Sequence, residues 1–353
     1  ADAATHCRDT AVRSHLSKLI GSVDEIGRIA LERYARQSYL SARAMFWPSQ
    51  IRGIEKLTTD GSFALCTPTG SGKTTVAELG MIQGLFPPQR SPEQGNPIAL
   101  YLTPSRALAT EVESKLSTVL SLLSDEPVQV TGLYGGTDWG PTDAWLTSDS
   151  RTVLICTYEK AEALIRFLGP LFVSRVTTVV VDEAHTVQFD EAQTQALLAG
   201  ENRALRLEAL LTRLIHLRDL RGTRIIALSA VAAGIEDTLA RWVATDEAGE
   251  PARTMYRSTR QLVGRLLCQP TGGFEIRYDL LDSSPLGFED TTGAEGPFVR
   301  APFPPHPKLP KAWEKAGPEK RLRPFLFWAA MNFAARDESG FHPGVLVSVP
   351  SKP

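Results

Sequence analysis

TPTGSGKT, at residues 67–74, is the stretch of sequence from which the fold of this chain can be predicted. It follows the apolar run FALC at residues 63–66 and precedes the helix-like segment TVAEL at residues 75–79. A strand that turns through glycines into a helix leaves backbone N–H groups that, with the helix dipole, bind phosphate. The full P-loop pattern has glycine where this chain has Thr67, but the strand and helix around the loop favour a P-loop over a simple glycine-rich turn.

The positions of this loop have predicted roles in binding a nucleoside triphosphate. Lys73 can reach the outer phosphates, and the hydroxyl of Thr74 can bind Mg²⁺. The residues predicted to bind the nucleotide here are Thr69, Gly70, Ser71, Gly72, Lys73 and Thr74.

A second stretch supplies the carboxylates that hydrolysis of such a nucleotide requires. The apolar run VTTVVV at residues 176–181 leads directly into Asp182 and Glu183, with His185 two residues later. Asp182 can bind Mg²⁺ through water, and Glu183 can orient or deprotonate the attacking water. His185 would lie where the state of the nucleotide could be relayed. Together with the P-loop, this stretch predicts an NTP-hydrolysing site.

Composition restricts the class of protein. The chain has 353 residues, 42% apolar and 22% charged, as in ordinary soluble globular proteins. Because the net charge is -2, any nucleic-acid surface must be a local patch. The 4 cysteines are widely spaced, which excludes a zinc site by spacing. No apolar run is long enough to span a membrane, and no signal-peptide core is present, so we expect a soluble, cytoplasmic or nucleoid protein without membrane contact.

Short apolar runs alternate with helix-like segments after residue 60. The predicted strands are 62–66, 98–102, 128–131, 153–156, 176–181, 224–229 and 344–348. Their near-continuous hydrophobicity predicts an α/β fold, in which a mostly parallel sheet is covered by helices on both faces. Ligands bind beyond the carboxyl ends of the strands in such sheets, so the residues that follow each strand are the candidate site residues.

Three of these strand ends carry groups suited to a sugar-phosphate backbone. Hydroxyl groups, helix N-terminal amides and an arginine follow the second strand, although Arg106 is equally consistent with a solvated surface charge. The predicted nucleic-acid contacts are Pro104, Ser105, Arg106, Gly132, Thr157, Tyr158 and Glu159.

Gln50 follows the aromatic pair Phe46-Trp47 and is a candidate for binding the base. A glutamine amide can pair with both the donor and the acceptor edge of adenine. The alternative is that Gln50 only begins the helix that continues through Ile51 and Ile54.

The sequence before and after the main apolar pattern differs in character. Residues 11–45 have helical periodicity, which favours a helical cap packed on the main domain. Residues 270–319 are rich in Pro and Gly, with interspersed lysines, and are interpreted as an insertion or linker. A helix at residues 324–335 and an apolar run at residues 344–348 then suggest the start of a further domain.

From Phe46 to Trp242 these stretches resemble the superfamily 2 helicases, and within them the Ski2-like group. Residues 67–74 look like motif I, Asp182–His185 like motif II, and Ser229-Ala230-Val231 lies where motif III has Ser-Ala-Thr. Gln50 fits the Q motif, and residues 104–109 fit motif Ia. The remaining matches are Thr131-Gly132 and Thr157–Lys160, which look like motifs Ib and Ic, and Val345–Lys352, which resembles motif IV.

The resemblance implies RecA-like lobes that bind ATP and Mg²⁺ between them and hold a nucleic-acid strand across their faces. Ser229 and His185 would then couple the nucleotide to the strand. The implied organisation is a helical segment at 1–45, a first lobe at 46–268, an insertion at 269–323 that a protein partner could contact, and the truncated start of a second lobe at 324–353. The arginine finger of motif VI would come from the missing part of that lobe.

The resemblance leaves two functions open. One is an ATP-dependent helicase or translocase acting on DNA or RNA. The other is an ATP-gated nucleic-acid-binding or scaffold subunit, because Val231 replaces a threonine whose hydroxyl helps to couple hydrolysis to strand separation. A small-molecule P-loop kinase is poorly supported, since residues 104–109 and Ser229 have no role in it.

Overall fold

The structure, a computed structural model, describes most of the chain up to residue 254 and parts of the remainder. The described residues are 2–59, 61–89, 95–126, 128–135, 150–187, 202–230, 234–246, 249–254, 263–268, 274–279, 305–306, 308, 318–334 and 345. The chain folds into two compact units, Ala1–Thr259 and Arg260–Pro353. The domain bounds at residues 45, 268 and 323 stay predictions.

The first unit begins with a series of helices. They are α1 (Asp2–Thr10), α2 (Val12–Leu16), a 3₁₀ helix (Ser17–Ser22) and α3 (Glu25–Leu40). Asp24 caps α3, because its Oδ1 accepts a hydrogen bond from Gly27 N at 2.7 Å. Leu16, Leu19 and Leu31 are buried in one apolar cluster with Leu57 and Phe86. This segment is therefore packed into the core of the first unit.

A parallel sheet with its helices follows. The elements are α4 (Pro48–Leu57), β1 (Phe63–Cys66), α5 (Lys73–Leu85), β2 (Ile98–Thr103), α6 (Arg106–Leu120), β3 (Val128–Leu133), β4 (Arg151–Thr157), α7 (Tyr158–Val173), β5 (Val176–Val181), a 3₁₀ helix (Ala184–Val187), α8 (Arg203–Arg221), β6 (Arg224–Ser229), α9 (Glu236–Ala244) and β7 (Ala252–Arg253). The strand order is β3-β4-β2-β5-β6-β1-β7, and every pair is parallel.

Both faces of this sheet are covered, as its hydrophobic strands predict. In β1, Phe63 and Leu65 belong to one apolar cluster, whereas Ala64 and Cys66 belong to the cluster on the opposite face. Successive side chains of a strand point to opposite faces, so this run is apolar at every position. The α/β fold with a parallel sheet is confirmed.

Six of the seven predicted strands are present, and the seventh, 344–348, lies outside the described residues except for Val345. The prediction missed β7, a two-residue edge strand that pairs with Leu65 and Cys66 of β1. Two residues are too few to show the alternating pattern by which a strand is predicted. β7 forms because the edge of β1 has backbone groups that are free to pair with it.

The register of the sheet places the predicted site residues along one edge. Cys66 lies opposite Ser229, and Thr103 lies opposite Thr157. Leu102 lies opposite Val181, directly before Asp182. The P-loop, the paired carboxylates and the loop after β2 therefore share the carboxyl edge of the sheet, where ligands bind in this class of fold.

The second unit contains a hairpin that the sequence did not predict. Val263–Cys268 (β8) pairs antiparallel with Phe274–Asp279 (β9), so β9 lies within the segment interpreted as an insertion or linker. The segment FEIRYD alternates as a strand does, but the proline and glycine content of its surroundings is typical of a linker.

The helix predicted to begin at Pro324 begins six residues earlier and spans Pro318–Phe333 (α10). Proline is favoured in the first turn of a helix, and Pro318 takes that position, which leaves Pro324 in the interior. His306 packs edge-on against Phe325 of α10, with ring centroids 5.1 Å apart. None of the helices in the described ranges combines the length and the hydropathy that crossing a bilayer requires.

Candidate active site

The loop between β1 and α5 is closed by its own hydrogen bonds. Ser71 N donates to Pro68 O at 3.2 Å, and the hydroxyl oxygens of Thr67 and Ser71 lie 2.7 Å apart. Gly70 and Gly72 have φ angles of 79° and 84°, in the left-handed region that favours glycine. The two glycines therefore let the loop wrap around the start of α5, as a phosphate-binding loop requires.

Gln50 connects α4 to this loop. Its Oε1 accepts a hydrogen bond from Trp47 N at 2.8 Å, and its Nε2 donates to Thr75 Oγ1 at 3.0 Å. A Cβ atom at Gly72 would lie 2.4 Å from Gln50 Nε2. Gln50 therefore both holds the start of α4 and packs on the P-loop, whereas its binding of the base stays a prediction.

Lys73 lies at the start of α5 with its side chain folded along the loop. Its Nζ donates to Thr67 O at 3.0 Å. Burial lowers the pKa of the Lys73 ammonium, and the negative charges of Glu183 and Asp182 oppose that shift. The lysine and both carboxylates are thus close enough to interact, although they come from sequence positions more than a hundred residues apart.

Asp182 continues the line of β5. Its backbone N donates to Leu102 O at 2.9 Å, and its Oδ2 accepts a hydrogen bond from the hydroxyl of Tyr101 at 3.1 Å. Burial raises the pKa of the Asp182 carboxyl, and the charge of Glu183 raises it further. A positive charge beside Asp182 would favour its ionised form, and Lys73 already acts in that direction.

Glu183 has a backbone conformation that is unusual for a residue with a side chain. Its φ angle is +50°, in the left-handed region. This turn directs the chain from β5 into the 3₁₀ helix, and it places Oε2 of Glu183 3.3 Å from Nδ1 of His185. The strain is found at the residue predicted to activate water, which agrees with the clustering of such outliers at functional sites.

The donor set fits a magnesium ion. Thr74 and Asp182 offer a hydroxyl and a carboxylate, which are oxygen ligands of the kind that Mg²⁺ prefers. Within the described ranges no group of three or more His, Cys, Asp or Glu side chains could hold a metal by itself. Mg²⁺ in nucleotide sites commonly uses one or two protein ligands together with phosphate oxygens, so such a site does not need a larger group of protein ligands.

Ser229 lies at the end of β6, between the P-loop strand and β5. It is fully buried, its carbonyl accepts a hydrogen bond from Thr67 N at 3.2 Å, and its hydroxyl donates to Ala230 O at 2.7 Å. Ser229 therefore contacts the P-loop directly through its backbone. Val231 lies outside the described residues.

The loop after β2 has the predicted arrangement. Ser105 caps α6, because its Oγ accepts a hydrogen bond from Leu108 N at 3.3 Å. Arg106 is exposed in the first turn of that helix. Hydroxyl, amide and guanidinium groups are thus brought together at the carboxyl edge of the sheet, together with Pro104.

Three further residues were predicted to contact nucleic acid, namely Gly132, Thr157 and Glu159, and none of them is fully exposed. Gly132 N donates to Glu113 Oε1 at 3.0 Å, and a Cβ atom at Gly132 would lie 2.2 Å from the ring of Tyr134, so a side chain there would require the Tyr134 and Glu113 side chains to shift. Thr157 is buried at the end of β4, and Glu159 is half-buried at the start of α7.

Tyr158 is placed differently from the surface contact that was expected. Its side chain is only 4% exposed, and its hydroxyl donates to the backbone carbonyl of Asp182 at 2.6 Å. The ring is buried because it packs in the apolar cluster beneath α7. Sequence reasoning missed Tyr101 and Tyr158 as neighbours of Asp182, although a tyrosine in an apolar strand signals a hydroxyl that needs a buried partner.

Comparison with known protein families agrees with this geometry. The family model described as DEAD/DEAH box helicase matches residues 47–238, which is more than half of the chain. The matched range extends from the residue before α4 to the third residue of α9, and therefore includes Gln50, the P-loop, Asp182 and Ser229.

Similar individual proteins are much longer than this chain. Hachiman protein HamB of Bacillus cereus is 32% identical over 212 residues, which cover 60% of this chain and 17% of HamB. ATP-dependent DNA helicase Hel308 of Thermococcus kodakarensis is 32% identical over 225 residues, which cover 63% of this chain and 16% of Hel308. The chain thus spans less than a fifth of either relative.

Among solved structures, helicase Lhr of Mycobacterium smegmatis, bound to ssDNA and AMP-PNP, matches with a TM-score of 0.47 and 23% identity. The match covers 69% of this chain and 29% of the Lhr chain.

Proposed function

Because this chain belongs to the DEAD/DEAH box helicase family, we propose that it is the first RecA-like lobe of an ATP-dependent helicase or translocase that acts on DNA or RNA. Membership of the family implies the use of ATP. The observation that carries the proposal is that β1 and β5 flank β6 in one parallel sheet, so that the P-loop after β1 and Asp182 and Glu183 after β5 lie at the same carboxyl edge.

Hydrolysis of ATP assigns a role to each group of this edge. Lys73 exchanges its hydrogen bond to Thr67 O for the outer phosphates, and Glu183 orients the attacking water and accepts its proton. Thr74 and Asp182 would hold Mg²⁺, which neutralises charge on the phosphates. Gln50 reads the base from its position against the P-loop, while its Oε1 remains bonded to Trp47 N.

The nucleic-acid strand is proposed to cross the same carboxyl edge of the sheet. Pro104, Ser105 and Arg106 would hold its backbone at the end of β2, and Thr157 and Glu159 at the end of β4. Contacts of this kind do not read sequence. Since the similar protein Hel308 is a DNA helicase, DNA is the first polymer to test, with RNA as the alternative.

The remainder of the ATP site would come from a second lobe that begins near residue 324. Arginine fingers of such lobes contribute roughly 10³-fold or more to hydrolysis. The proposed location of the protein is the cytoplasm, the nucleoid or the nucleus, and a protein partner could dock on residues 270–319.

The test is ATP turnover by the full-length protein with single-stranded DNA, single-stranded RNA, duplex DNA or no polymer. We expect one polymer to stimulate turnover, and we expect the Lys73→Ala variant to abolish turnover in every case. Turnover that no polymer changes, or that survives in Lys73→Ala, would contradict the proposal.

A second candidate function is an ATP-gated binding or scaffold subunit, which the valine at position 231 favours. A strand-displacement assay on the same preparation distinguishes the two. Displacement coupled to hydrolysis supports the helicase, whereas ATP-dependent strand binding without displacement supports the scaffold.

A further inference from the structure

Tyr158 lies between the residues proposed to hold nucleic acid and the residues proposed to hydrolyse ATP. It lies between Thr157 and Glu159, two residues that are proposed to hold nucleic acid. Its own side chain, however, points away from the surface and is 4% exposed. Its hydroxyl donates to Asp182 O at 2.6 Å and lies 3.5 Å from Thr186 Oγ1. One side chain thus reaches from the start of α7 to the metal-binding residue and to the 3₁₀ helix that follows it.

Tyr101 makes a second connection of the same kind. It is 1% exposed within β2, and its hydroxyl donates to Asp182 Oδ2 at 3.1 Å. Two residues further on, β2 ends at Thr103 and continues into Pro104 and Arg106. The backbone of Asp182 is also tied to this strand, because its N–H donates to Leu102 O at 2.9 Å.

Asp182 therefore has one tyrosine bonded to its carboxylate and another bonded to its backbone carbonyl. Each tyrosine lies at or near the carboxyl end of a β-strand, next to residues that are proposed to hold nucleic acid. A tyrosine ring is rigid, and the oxygen atoms of most O–H···O hydrogen bonds are confined to separations of about 2.5–3.0 Å. A shift of a few tenths of an ångström at the start of α7 or in β2 is thus transmitted to Asp182.

We propose that Tyr158 and Tyr101 are positioning residues that couple the proposed nucleic-acid contacts at the ends of β4 and β2 to Asp182. The inference rests on the proposed function and deepens it, since it states how strand binding reaches the hydrolytic site. Tyr158 sets the position of the main chain at Asp182 and Glu183. Tyr101 sets the orientation of the Asp182 carboxylate.

The test of Tyr158 is the Tyr158→Phe variant of the full-length protein, which keeps the buried ring and removes only the hydroxyl. We expect the factor by which a nucleic-acid strand stimulates ATP turnover to fall about tenfold, equivalent to about 1.4 kcal/mol and of the order of one hydrogen bond. The Kd for the nucleic acid should stay unchanged, and turnover without nucleic acid should fall by a smaller factor than turnover with it. A merely structural role would instead lower turnover equally with and without the strand.

A readout independent of activity is hydrogen–deuterium exchange at residues 182–187. We expect strand binding to change exchange in this segment in the wild type and not in Tyr158→Phe. Tyr39→Phe, at a side chain that is 73% exposed, is the control for the substitution itself. Tyr34→Phe removes a different buried hydroxyl, which donates to Glu78 Oε2 at 2.6 Å, and controls for a general loss of stability.

The Tyr101→Phe variant tests the second connection, and it serves also if Tyr158→Phe does not fold. We expect the Mg²⁺ concentration needed for half-maximal binding of a non-hydrolysable ATP analogue to rise about fivefold. The Kd for the strand should not change. An unchanged Mg²⁺ dependence would overturn the role of Tyr101.

The outcomes separate the inference from the function on which it rests. If no nucleic acid stimulates ATP turnover by the wild-type protein, both the proposed function and the coupling are overturned. A wild-type protein that is stimulated, together with a Tyr158→Phe variant stimulated by the same factor, overturns only the coupling.

Discussion

Replacing Gly72 by alanine tests the geometry that joins Gln50 to the P-loop. Gly72 has a φ of 84°, and a Cβ atom there would lie 2.4 Å from Nε2 and 2.8 Å from Cδ of Gln50. The left-handed backbone costs an alanine about 1–2 kcal/mol. The Gln50 side chain must also move, which breaks its bonds to Trp47 N and Thr75 Oγ1 at about 1 kcal/mol each. We expect Gly72→Ala to destabilise the protein by about 3–4 kcal/mol.

The assay is urea unfolding, in the wild-type background and in Gln50→Ala. Without the glutamine side chain there is no clash, so Gly72→Ala should then cost only the backbone strain of about 1–2 kcal/mol. The matched control is Gly21→Ala, since a Cβ atom there meets nothing within 4 Å. We expect that control to change stability by less than about 1 kcal/mol.

Two results would refute this reasoning. An equal cost of Gly72→Ala in both backgrounds would show that Gln50 does not pack on the P-loop. A cost no greater than that of Gly21→Ala would show that the loop is not in the left-handed conformation.

Two further predictions concern buried or strained acidic residues. Burial raises the pKa of the Glu78 carboxyl, so the folded protein holds this proton more tightly than the unfolded chain does. The free energy of unfolding should therefore fall as the pH rises from 4.5 through the raised pKa. In a pH series of urea titrations, Glu78→Gln should remove this part of the fall. A pH dependence identical in both proteins would contradict it. Because Glu183 has a φ of +50°, the Glu183→Gly variant should be about 1 kcal/mol more stable than Glu183→Ala. We expect neither variant to hydrolyse ATP. Equal thermal stability of the two variants would show that the backbone at this position is not strained.

Much of the first unit could be predicted because its signals are local. The two glycines and the lysine of the P-loop, the apolar run before Asp182 and the start of a helix at Ser105 and Arg106 each depend on only a few residues of sequence. The structure has these features at the predicted positions. The hairpin of β8 and β9 was missed because pairing between strands depends on a partner and not on local composition alone.

The sequence by itself determined the chemistry of this protein: a P-loop, two adjacent carboxylates and an α/β order of elements. Only the tertiary structure decided how these groups meet. The strand order β3-β4-β2-β5-β6-β1-β7 places β5 between β2 and β6, so that Tyr101 and Tyr158 reach Asp182 while Arg106 remains exposed. Crossover connections between parallel strands leave no trace in local sequence, because strand order is set by the packing of helices across the whole sheet. For the same reason Tyr158, which lies in sequence between two residues proposed to contact nucleic acid, is in space a buried hydrogen-bond partner of Asp182.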